Sequence, residues 1–444
     1  MVTQRPVDYL EVRGQATGCP PCERWGCALD LRQGRPLETQ QISRSADNHS
    51  VAFADRMSTP FAKTLDGLRT NPELKLFWDC IWTPPETREQ FLEYTGQLRR
   101  FATHSGGLLG RSPDFLAGIV SAWAANADHF GDGAEQLREF HRQCRAENSI
   151  LTHAISDISE RGRIAEDRLL KVVARDADGI YLSGFKQLAT LALYADVLLI
   201  YPYRMLTQAE DYTALCVAIA PESDGVTVHS RAGFRAAHEL ADESIDALDE
   251  QDAIIELDHA FVPNSHVFID GSVAQCNTLR AKTGMTHPAW IQALGRMAAK
   301  AEMYHTLAER VLDGGQTSVK EPGVILAKLR RFAASTQRDF TAALESAAFD
   351  ERYGFWAADR TMLLQGIGNF TERIEGASAL LAQIAGLDLI CPKPGRTTQH
   401  GLIPAAPQLS DWTLFTNLSS GAYGYRQNKY ELAFVGDPDR LAAG

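Results

Sequence analysis

The sequence predicts a multi-domain α+β protein in which a helical segment, a β-rich segment and a second helical segment follow one another. The chain has 444 residues, and roughly 100–200 residues per domain is usual. Apolar residues recur at helical spacing in the first and last parts of the chain. Runs rich in β-branched and aromatic residues occupy the middle. We expect domains at 1–150, 151–280 and 281–444, the last ending in a tail.

The N-terminal segment is predicted to be helical because of its apolar spacing and its prolines. Phe91 to Phe101 and Phe115 to Ala125 both carry apolar residues near the helical period. Proline can begin a helix but not sit inside one. The prolines that divide this segment are Pro72, Pro84, Pro85 and Pro113.

The middle segment reads as strands separated by turns. Leu169 to Val173 and Ile180 to Leu182 flank a turn, in which Gly179 suits a positive φ. Further strand-like runs are Ala195 to Tyr201, Ala214 to Ala220, Gly225 to Ser230 and Ala253 to Val262.

Helical spacing returns from about residue 286 to 390. Trp290, Leu294, Met297, Ala301 and His305 lie near one helical face. Further helical stretches are predicted at Phe332 to Ala347, Ala377 to Leu387 and Tyr423 to Phe434.

Composition excludes several classes of protein. With 44 Lys+Arg and 56 Asp+Glu, the net charge is −12, which argues against nucleic acid as the main partner. No apolar run approaches the ~20 residues that cross a bilayer, and the N-terminus lacks the apolar core of a signal peptide. The 8 cysteines are mostly isolated, as reduced thiols are. We therefore expect a cytoplasmic protein that does not contact membranes.

Three short patterns are candidates for function. Gly106 to Arg111 is a glycine-rich stretch. A flexible inter-helix loop is the simpler interpretation, and the alternative is a loop that brings backbone and the Arg111 guanidinium close to an anionic group. His153 lies where the helical and β segments meet, a usual place for a cleft. Cys19 and Cys22, with Cys27 nearby, could bind metal or act as a redox pair. No second cysteine pair follows, so we expect no metal site and mostly incidental thiols.

Five segments in order resemble the 4-hydroxyphenylacetate 3-monooxygenase family, the large oxygenase components of two-component, reduced-flavin-dependent aromatic hydroxylases. Together they extend from about residue 100 to 440. The segments are Gly110 to Phe115, Leu151 to Ala154, Asp178 to Asp196, Asp252 to Gly271 and Gly424 to Pro438.

The resemblance implies an acyl-CoA-dehydrogenase-like fold, with an N-terminal helical domain, a central β-barrel and a C-terminal helical bundle. It also implies a homo-oligomer, a tetramer or a dimer. A separate NAD(P)H:flavin reductase would supply reduced FAD, which would react with molecular oxygen in a cleft between the domains. The related dehydratase branch binds an iron–sulfur cluster through cysteines in the helical region, and no cysteine lies between Cys80 and Cys144.

Carried over from the family, Arg111 and His153 are the catalytic residues that face the phenolic oxygen of the substrate. Hydroxylation ortho to that oxygen by a flavin C4a-hydroperoxide is electrophilic, and an Arg cation with a His donor favours the electron-rich phenolate. Phe115 stands where the family usually has Tyr, which removes one phenolic hydrogen bond.

The resemblance also implies residues that bind flavin and substrate. The flavin residues are His153, Ser159, Glu160, Arg161, Gly162, Thr190, Ser419, Ser420, Gly421 and Ala422. The substrate residues are Arg111, Phe115, His153, Pro202, Tyr203 and Arg204, with Arg204 the cation for a substrate carboxylate.

The function we expect is therefore hydroxylation of a small phenolic or related aromatic substrate. One alternative is a flavin-dependent oxygenase acting on nitrogen or on a carrier-tethered substrate in secondary metabolism. The other is a non-catalytic metal-binding scaffold that works through Cys19, Cys22 and Cys27.

Overall fold

The computed structural model describes residues 59–160, 163–187, 189–230, 249–313 and 319–385. Helices dominate before residue 148 and after residue 272, and strands dominate between them, in the order that the sequence predicts. The early helices are α1 (Pro60–Thr70), α2 (Lys75–Ile81), α3 (Arg88–His104), α4 (Pro113–Ala125) and α5 (Ala134–Glu147).

Local sequence features determine where these helices begin. Polar side chains before the first turn accept hydrogen bonds from backbone N–H groups that have no partner within the helix. Thr59 caps α1 by accepting a hydrogen bond from Ala62 N at 3.2 Å. Thr87 and Gln90 form a reciprocal capping box at the start of α3. Pro113 lies in the first turn of α4, where its missing N–H costs nothing.

The middle of the chain forms strands that assemble into open sheets. One four-stranded sheet has the order β1–β6–β7–β10, and a second has the order β4–β5–β9–β8. The strands are β1 (Leu151–His153), β2 (Ser159–Glu160), β3 (Arg163–Ile164), β4 (Lys171–Arg175), β5 (Gly179–Lys186), β6 (Val197–Ile200), β7 (Leu215–Ile219), β8 (Val226–Ser230), β9 (Ala253–Pro263) and β10 (Val267–Asp270). Strands β2 and β3 pair only with each other.

The expected closed β-barrel is wrong for the described residues. Both sheets end in unpaired edge strands, β1 and β10 in one, β4 and β8 in the other. Their inner faces share one apolar cluster, to which Leu182 and Ile255 contribute from one sheet and Leu198 and Val217 from the other. Face-to-face packing buries these side chains without ladder hydrogen bonds between the sheets, so closure is not needed to form the core.

The predicted turn between β4 and β5 is confirmed, but its glycine acts differently from the prediction. Asp176 Oδ1 accepts hydrogen bonds from Asp178 N at 2.8 Å and Gly179 N at 3.0 Å. Gly179 is not among the glycines with positive φ. A Cβ added there would lie 2.2 Å from Val262 O, so close approach of β9 requires the glycine.

Four helices follow the strands: α6 (Val273–Thr283), α7 (Thr286–Asp313), α8 (Pro322–Glu345) and α9 (Arg360–Ala385). Between α8 and α9 the chain forms a hairpin of β11 (Ala348–Asp350) and β12 (Phe355–Ala357), where helical spacing had been predicted. Gly354 turns this hairpin at φ 74°. The predicted helix at 423–434 lies outside the described residues.

Helix α4 lies within the helical core and supports the site described below. All of its residues from Pro113 to Trp123 are buried. Its side chains contact α7 on one side and β1 on another. Because α4 is enclosed on several sides, the residues at its N-terminus are held by the core rather than by a surface loop. None of the described helices is long and apolar enough to cross a membrane.

Candidate active site

The glycine-rich stretch between α3 and α4 is an ordered connection that lies against α7. Gly106 and Gly107 have φ values of 59° and 70°, in the left-handed region that favours glycine. A Cβ on Gly107 would lie 2.5 Å from Arg296 O and 2.7 Å from Lys300 N. Gly107 O also accepts a hydrogen bond from Arg296 Nη1 at 3.1 Å. The glycines thus permit a close approach to the backbone of helix α7, whereas the sequence had suggested a ligand as the neighbour.

A buried carboxylate holds the end of this loop. Glu250 accepts hydrogen bonds from Gly110 N at 2.8 Å and from Arg111 N at 2.6 Å. Glu250 is 3% exposed, and hydrogen bonds to an ionised acceptor are stronger than neutral ones. The backbone at Arg111 is therefore fixed from the segment that precedes β9, about 140 residues further along the chain.

The guanidinium group of Arg111 lies over an aromatic ring. Its Cζ is 4.7 Å from the ring centroid of Phe115, which is cation–π geometry. Arg111 and Phe115 are both buried. The ring that replaces the family's tyrosine therefore contacts the candidate catalytic cation directly.

His153, the last residue of β1, lies beside the same ring. The rings of His153 and Phe115 are edge-to-face with centroids 6.0 Å apart. His153 Nδ1 and the Tyr201 hydroxyl are 2.9 Å apart. His153 Nε2 is buried and has no hydrogen-bond partner among the described residues. Burial, and secondarily the charges of Arg111 and Arg280, hold the pKa of His153 well below its ordinary value. The imidazole is therefore neutral at neutral pH.

Arg111, Phe115 and His153 thus come together, as the sequence predicts for three of the substrate residues. The connection is tertiary, because the loop before α4 presents Arg111, α4 presents Phe115 and the edge strand β1 presents His153. The guanidinium and the imidazole contact the same buried ring, and a guanidinium together with an imidazole N–H stabilises an oxygen anion.

The predicted substrate loop at residues 202–205 lies next to this group but its arginine is already paired. Arg204 Nε is 3.1 Å from Asp157 Oδ2, and Arg204 Nη2 is 2.5 Å from Glu210 Oε1. Asp157 also pairs with the buried Lys186. Salt bridges and hydrogen bonds from Arg204 lower the pKa of Glu210 to about 2. To bind a substrate carboxylate, Arg204 would have to break its ion pair with Asp157 or with Glu210.

Neighbouring residues in that loop form a cleft against α6. Pro202, Tyr203 and Arg204 line it together with Asn277 and Arg280. Arg280 donates to Tyr203 O at 3.0 Å and stacks on the Tyr203 ring at 4.6 Å. Arg280 thus attaches this loop to α6.

Thr190, one of the predicted flavin residues, is buried and supports the strand that carries His153. Its hydroxyl donates to Asp252 Oδ1 at 2.6 Å, and its carbonyl accepts from the Thr152 hydroxyl. Ser159 and Glu160 form β2. Arg161, Gly162, Ser419, Ser420, Gly421 and Ala422 lie outside the described residues.

Sequence reasoning missed Glu250, Tyr201 and the Thr190–Asp252 pair as parts of this site. Tyr201 is marked only as the end of a strand, and Glu250 is one of many acidic residues. Their roles depend on contacts across the fold, for which a single sequence carries no signal.

The metal-binding or redox role predicted for the N-terminal cysteines concerns residues outside the described part of the chain. Cys19, Cys22 and Cys27 all precede residue 59. Within the described part of the chain, no group of three or more His, Cys, Asp or Glu side chains could hold a metal ion. Cys80, Cys144, Cys216 and Cys276 are free thiols there, and burial raises the pKa of Cys144 and of Cys276 to about 12. These thiols are therefore unreactive at neutral pH.

Known proteins resemble this chain in both sequence and structure. A family model described as 4-hydroxyphenylacetate 3-hydroxylase N terminal matches residues 69–269. The 4-hydroxyphenylacetate 3-monooxygenase oxygenase component of Thermus thermophilus is 27% identical over 379 residues, covering 80% of this chain and 78% of the relative.

A second relative acts on a substrate attached to a carrier protein. It is the (3S)-3-amino-3-(3-chloro-4-hydroxyphenyl)propanoyl-[peptidyl-carrier protein SgcC2] monooxygenase of Streptomyces globisporus. It is 26% identical over 246 residues, covering 53% of this chain and 46% of the relative.

A crystal structure of a 4-hydroxyphenylacetate 3-monooxygenase oxygenase component, complexed with FAD and 4-hydroxyphenylacetate, has the same fold. It superposes with a TM-score of 0.70 at 25% identity, covering 82% of this chain and 80% of that one. The family match spans the helices and sheets that carry Arg111, Phe115 and His153. The chain is thus similar in both sequence and fold to 4-hydroxyphenylacetate 3-monooxygenase oxygenase components.

Proposed function

We propose that the protein is the oxygenase component of a two-component, reduced-FAD-dependent monooxygenase that hydroxylates a phenolic substrate ortho to its hydroxyl. The observation that carries this proposal is that Arg111 and His153 both contact the buried ring of Phe115, and that Nε2 of His153 has no hydrogen-bond partner among the described residues. Similarity to 4-hydroxyphenylacetate 3-monooxygenase oxygenase components supports the reaction class and the cofactor.

The residues around Arg111 prepare the substrate for reaction. The guanidinium and the imidazole bind the phenolic oxygen and stabilise its anion, because both groups favour negative charge at that atom. A phenolate ring is far richer in electrons at the ortho carbon than a phenol ring. The buried position of Phe115 and His153 excludes water from the ring.

Reduced FAD, when bound, activates molecular oxygen and supplies the oxygen atom that enters the ring. We place the polar edge of the flavin against the backbone around His153 and beside the buried Thr190, which leaves Nε2 of His153 for the phenolic oxygen. We assign flavin binding to His153, Ser159, Glu160, Arg161, Gly162, Thr190, Ser419, Ser420, Gly421 and Ala422.

The same proposal covers the domain boundaries, the oligomeric state, the reductase partner and the cellular location. The three segments 1–150, 151–280 and 281–444 are assigned as domains, and the protein as a homotetramer or homodimer. A separate NAD(P)H:flavin reductase supplies the reduced flavin. A cytoplasmic location agrees with the isolated cysteines of the chain. Pro202, Tyr203 and Arg204 contribute to the wall of the substrate site.

Single-turnover chemistry tests the reaction. Anaerobic protein with reduced FAD and a panel of phenols is mixed with ¹⁸O₂, and products are analysed by mass spectrometry. We expect a catechol that contains one ¹⁸O atom. Flavin oxidation at the same rate with and without protein, and no hydroxylated product, would disprove the proposal.

A matched variant tests the assigned role of Arg111. Arg111→Ala should lower the rate of catechol formation by more than tenfold, because the phenolate loses its cation. A smaller loss would contradict phenolate stabilisation by this residue.

A carrier-tethered substrate is the second candidate, and the Streptomyces relative favours it. In this chain Arg204 is already paired with Asp157 and Glu210, which leaves it poorly placed for a free acid. Comparing 4-hydroxyphenylacetate with a carrier-bound 4-hydroxyphenyl acyl group as substrates separates the two. Product masses also separate C-hydroxylation from N-oxygenation of an amino-substituted substrate.

A further inference from the structure

We propose that Tyr201 is a positioning residue that holds the ring of His153 in the tautomer with its proton on Nε2. This N–H then faces the phenolic oxygen of the substrate. The inference rests on the proposed function, because it concerns how His153 meets that oxygen.

Tyr201 is buried and held by contacts with neighbouring rings. It directly follows β6, and its side chain is 2% exposed. Its ring packs edge-to-face against Trp123, with centroids 5.1 Å apart, and against His153, with centroids 5.9 Å apart. These contacts aim the hydroxyl at His153 Nδ1, which is 2.9 Å away. Loss of the hydroxyl alone would leave both ring contacts in place.

The direction of the hydrogen bond follows from the chemistry of the two groups. Burial raises the pKa of the Tyr201 hydroxyl, which therefore keeps its proton. A neutral imidazole has one N–H and one lone pair. Nδ1 is the hydrogen-bond partner of the Tyr201 hydroxyl among the described residues. The hydroxyl therefore donates to the Nδ1 lone pair, and the ring proton is left on Nε2.

The position of the ring proton determines how Nε2 of His153 interacts with the substrate oxygen. No described residue forms a hydrogen bond with Nε2. The charged groups that face the ring are Arg111, from the loop before α4, and Arg280, from α6; Phe115 contributes an apolar edge. An Nε2–H joins Arg111 in stabilising a phenolate. The other tautomer would present a lone pair, which accepts a hydrogen bond from a neutral phenol instead. Tyr201 thus decides which ionisation state of the substrate the site prefers.

The test measures the ionisation of a bound phenol without any turnover. The probe is 4-nitrophenol, whose phenol and phenolate forms absorb at different wavelengths. We expect Tyr201→Phe to lower the ratio of bound phenolate to bound phenol about three- to tenfold at a given pH, the scale of one hydrogen bond. The catechol-forming rate should fall in parallel, with its rise against pH moved to higher pH. KM should change less than kcat.

The control is Tyr304→Phe, which also removes a buried tyrosine hydroxyl. That hydroxyl faces Ser378 of α9 at 3.4 Å, so the bound probe should titrate as in the wild-type protein. If Tyr201→Phe also titrates as the wild type does, the inference is wrong. If the probe bound to wild-type protein keeps its solution pKa and Arg111→Ala changes nothing, the proposed function fails instead.

A second measurement needs no variant of Tyr201. The wild-type protein, labelled with ring-¹⁵N histidine, is compared with His153→Gln to identify the two His153 resonances. A proton on Nε2 supports the inference, and a proton on Nδ1 overturns it.

Discussion

Arg111 and Phe115 form one unit at the start of α4, because the guanidinium lies over the phenylalanine ring. The distance from Cζ to the ring centroid is 4.7 Å, and both side chains are buried. A tyrosine at position 115 would offer an additional hydroxyl. With phenylalanine there, the proposed site relies on the cation and the histidine as its polar groups for the substrate oxygen.

Removal of this ring should weaken phenolate binding. We expect Phe115→Leu to raise the Kd for 4-nitrophenol about three- to tenfold at pH 8, since a cation–π contact is worth roughly 1 kcal/mol. Phe115→Tyr keeps the ring under the guanidinium and is the matched control. Equilibrium titration by absorbance provides the measurement. Equal losses in both variants would contradict the role of the ring.

At the scale of elements, the loop between α3 and α4 places Arg111, and two features hold the loop. The first is Glu250, whose carboxylate accepts the N–H groups of Gly110 and Arg111. The second is the contact of Gly107 with the backbone of α7. One feature is electrostatic and the other steric, so they can be tested separately.

Glu250→Ala should release the loop at one end. Hydrogen bonds to charged groups contribute roughly 1.5–3 kcal/mol each, so we expect the free energy of unfolding to fall by about 3 kcal/mol. The catechol-forming kcat/KM should fall more than tenfold, because Arg111 loses its fixed position. Glu250→Gln keeps one accepting oxygen and should lie between the two proteins. An alanine variant as stable and active as wild type would refute this account.

Gly107→Ala should damage the other end of the loop. At φ +70° an alanine is strained, and its Cβ would collide with Arg296 O and Lys300 N. We expect urea unfolding to show a loss of about 3 kcal/mol from strain and overpacking. Gly96→Ala is the control, since Gly96 lies inside α3 with no atom within 4 Å of the added Cβ. It should stabilise the protein by roughly 0.5–1 kcal/mol. A Gly107 variant that behaves like the control would disprove the steric account.

At the scale of the whole molecule, burial suppresses the charge of several histidines. Burial lowers the pKa values of His141, His153, His266 and His287. In the unfolded chain these side chains would titrate near their ordinary value of about 6.5. Asp114 has the opposite effect on how stability depends on pH, because burial raises its pKa to about 6.

Stability should therefore fall as the pH falls from about 6.5 to 5. Over that range the unfolded chain takes up protons at all four histidines, whereas the native protein gains one at Asp114. Urea unfolding from pH 8 to pH 5, at fixed protein concentration, measures the free energy. Asp114→Asn removes the opposing group and should steepen the fall. Stability that stays constant or rises toward pH 5 would contradict this balance.

The order of the secondary structure was predictable, and its assembly was predictable in part. Strand β9 and helix α7 follow from local patterns, because apolar alternation and helical spacing depend on neighbouring residues. The hairpin of β11 and β12 was missed, since three-residue strands are too short for a period to show. The closed barrel was wrong for the described residues, because face-to-face packing of two sheets satisfies the same apolar alternation.

The sequence by itself determined the helix–strand–helix order, the family resemblance, and Arg111 and His153 as the residues to examine. Local periodicity and short motifs are properties of adjacent residues and can be read without a fold. Only the tertiary structure decided that Glu250 holds the Arg111 backbone, that Tyr201 faces His153, and that Arg204 is already paired. The contacts of Glu250 with Arg111, of Tyr201 with His153 and of Arg204 with Asp157 join residues 47 to 139 positions apart. Their partners are selected by how the elements pack, and packing energy is shared over the whole core.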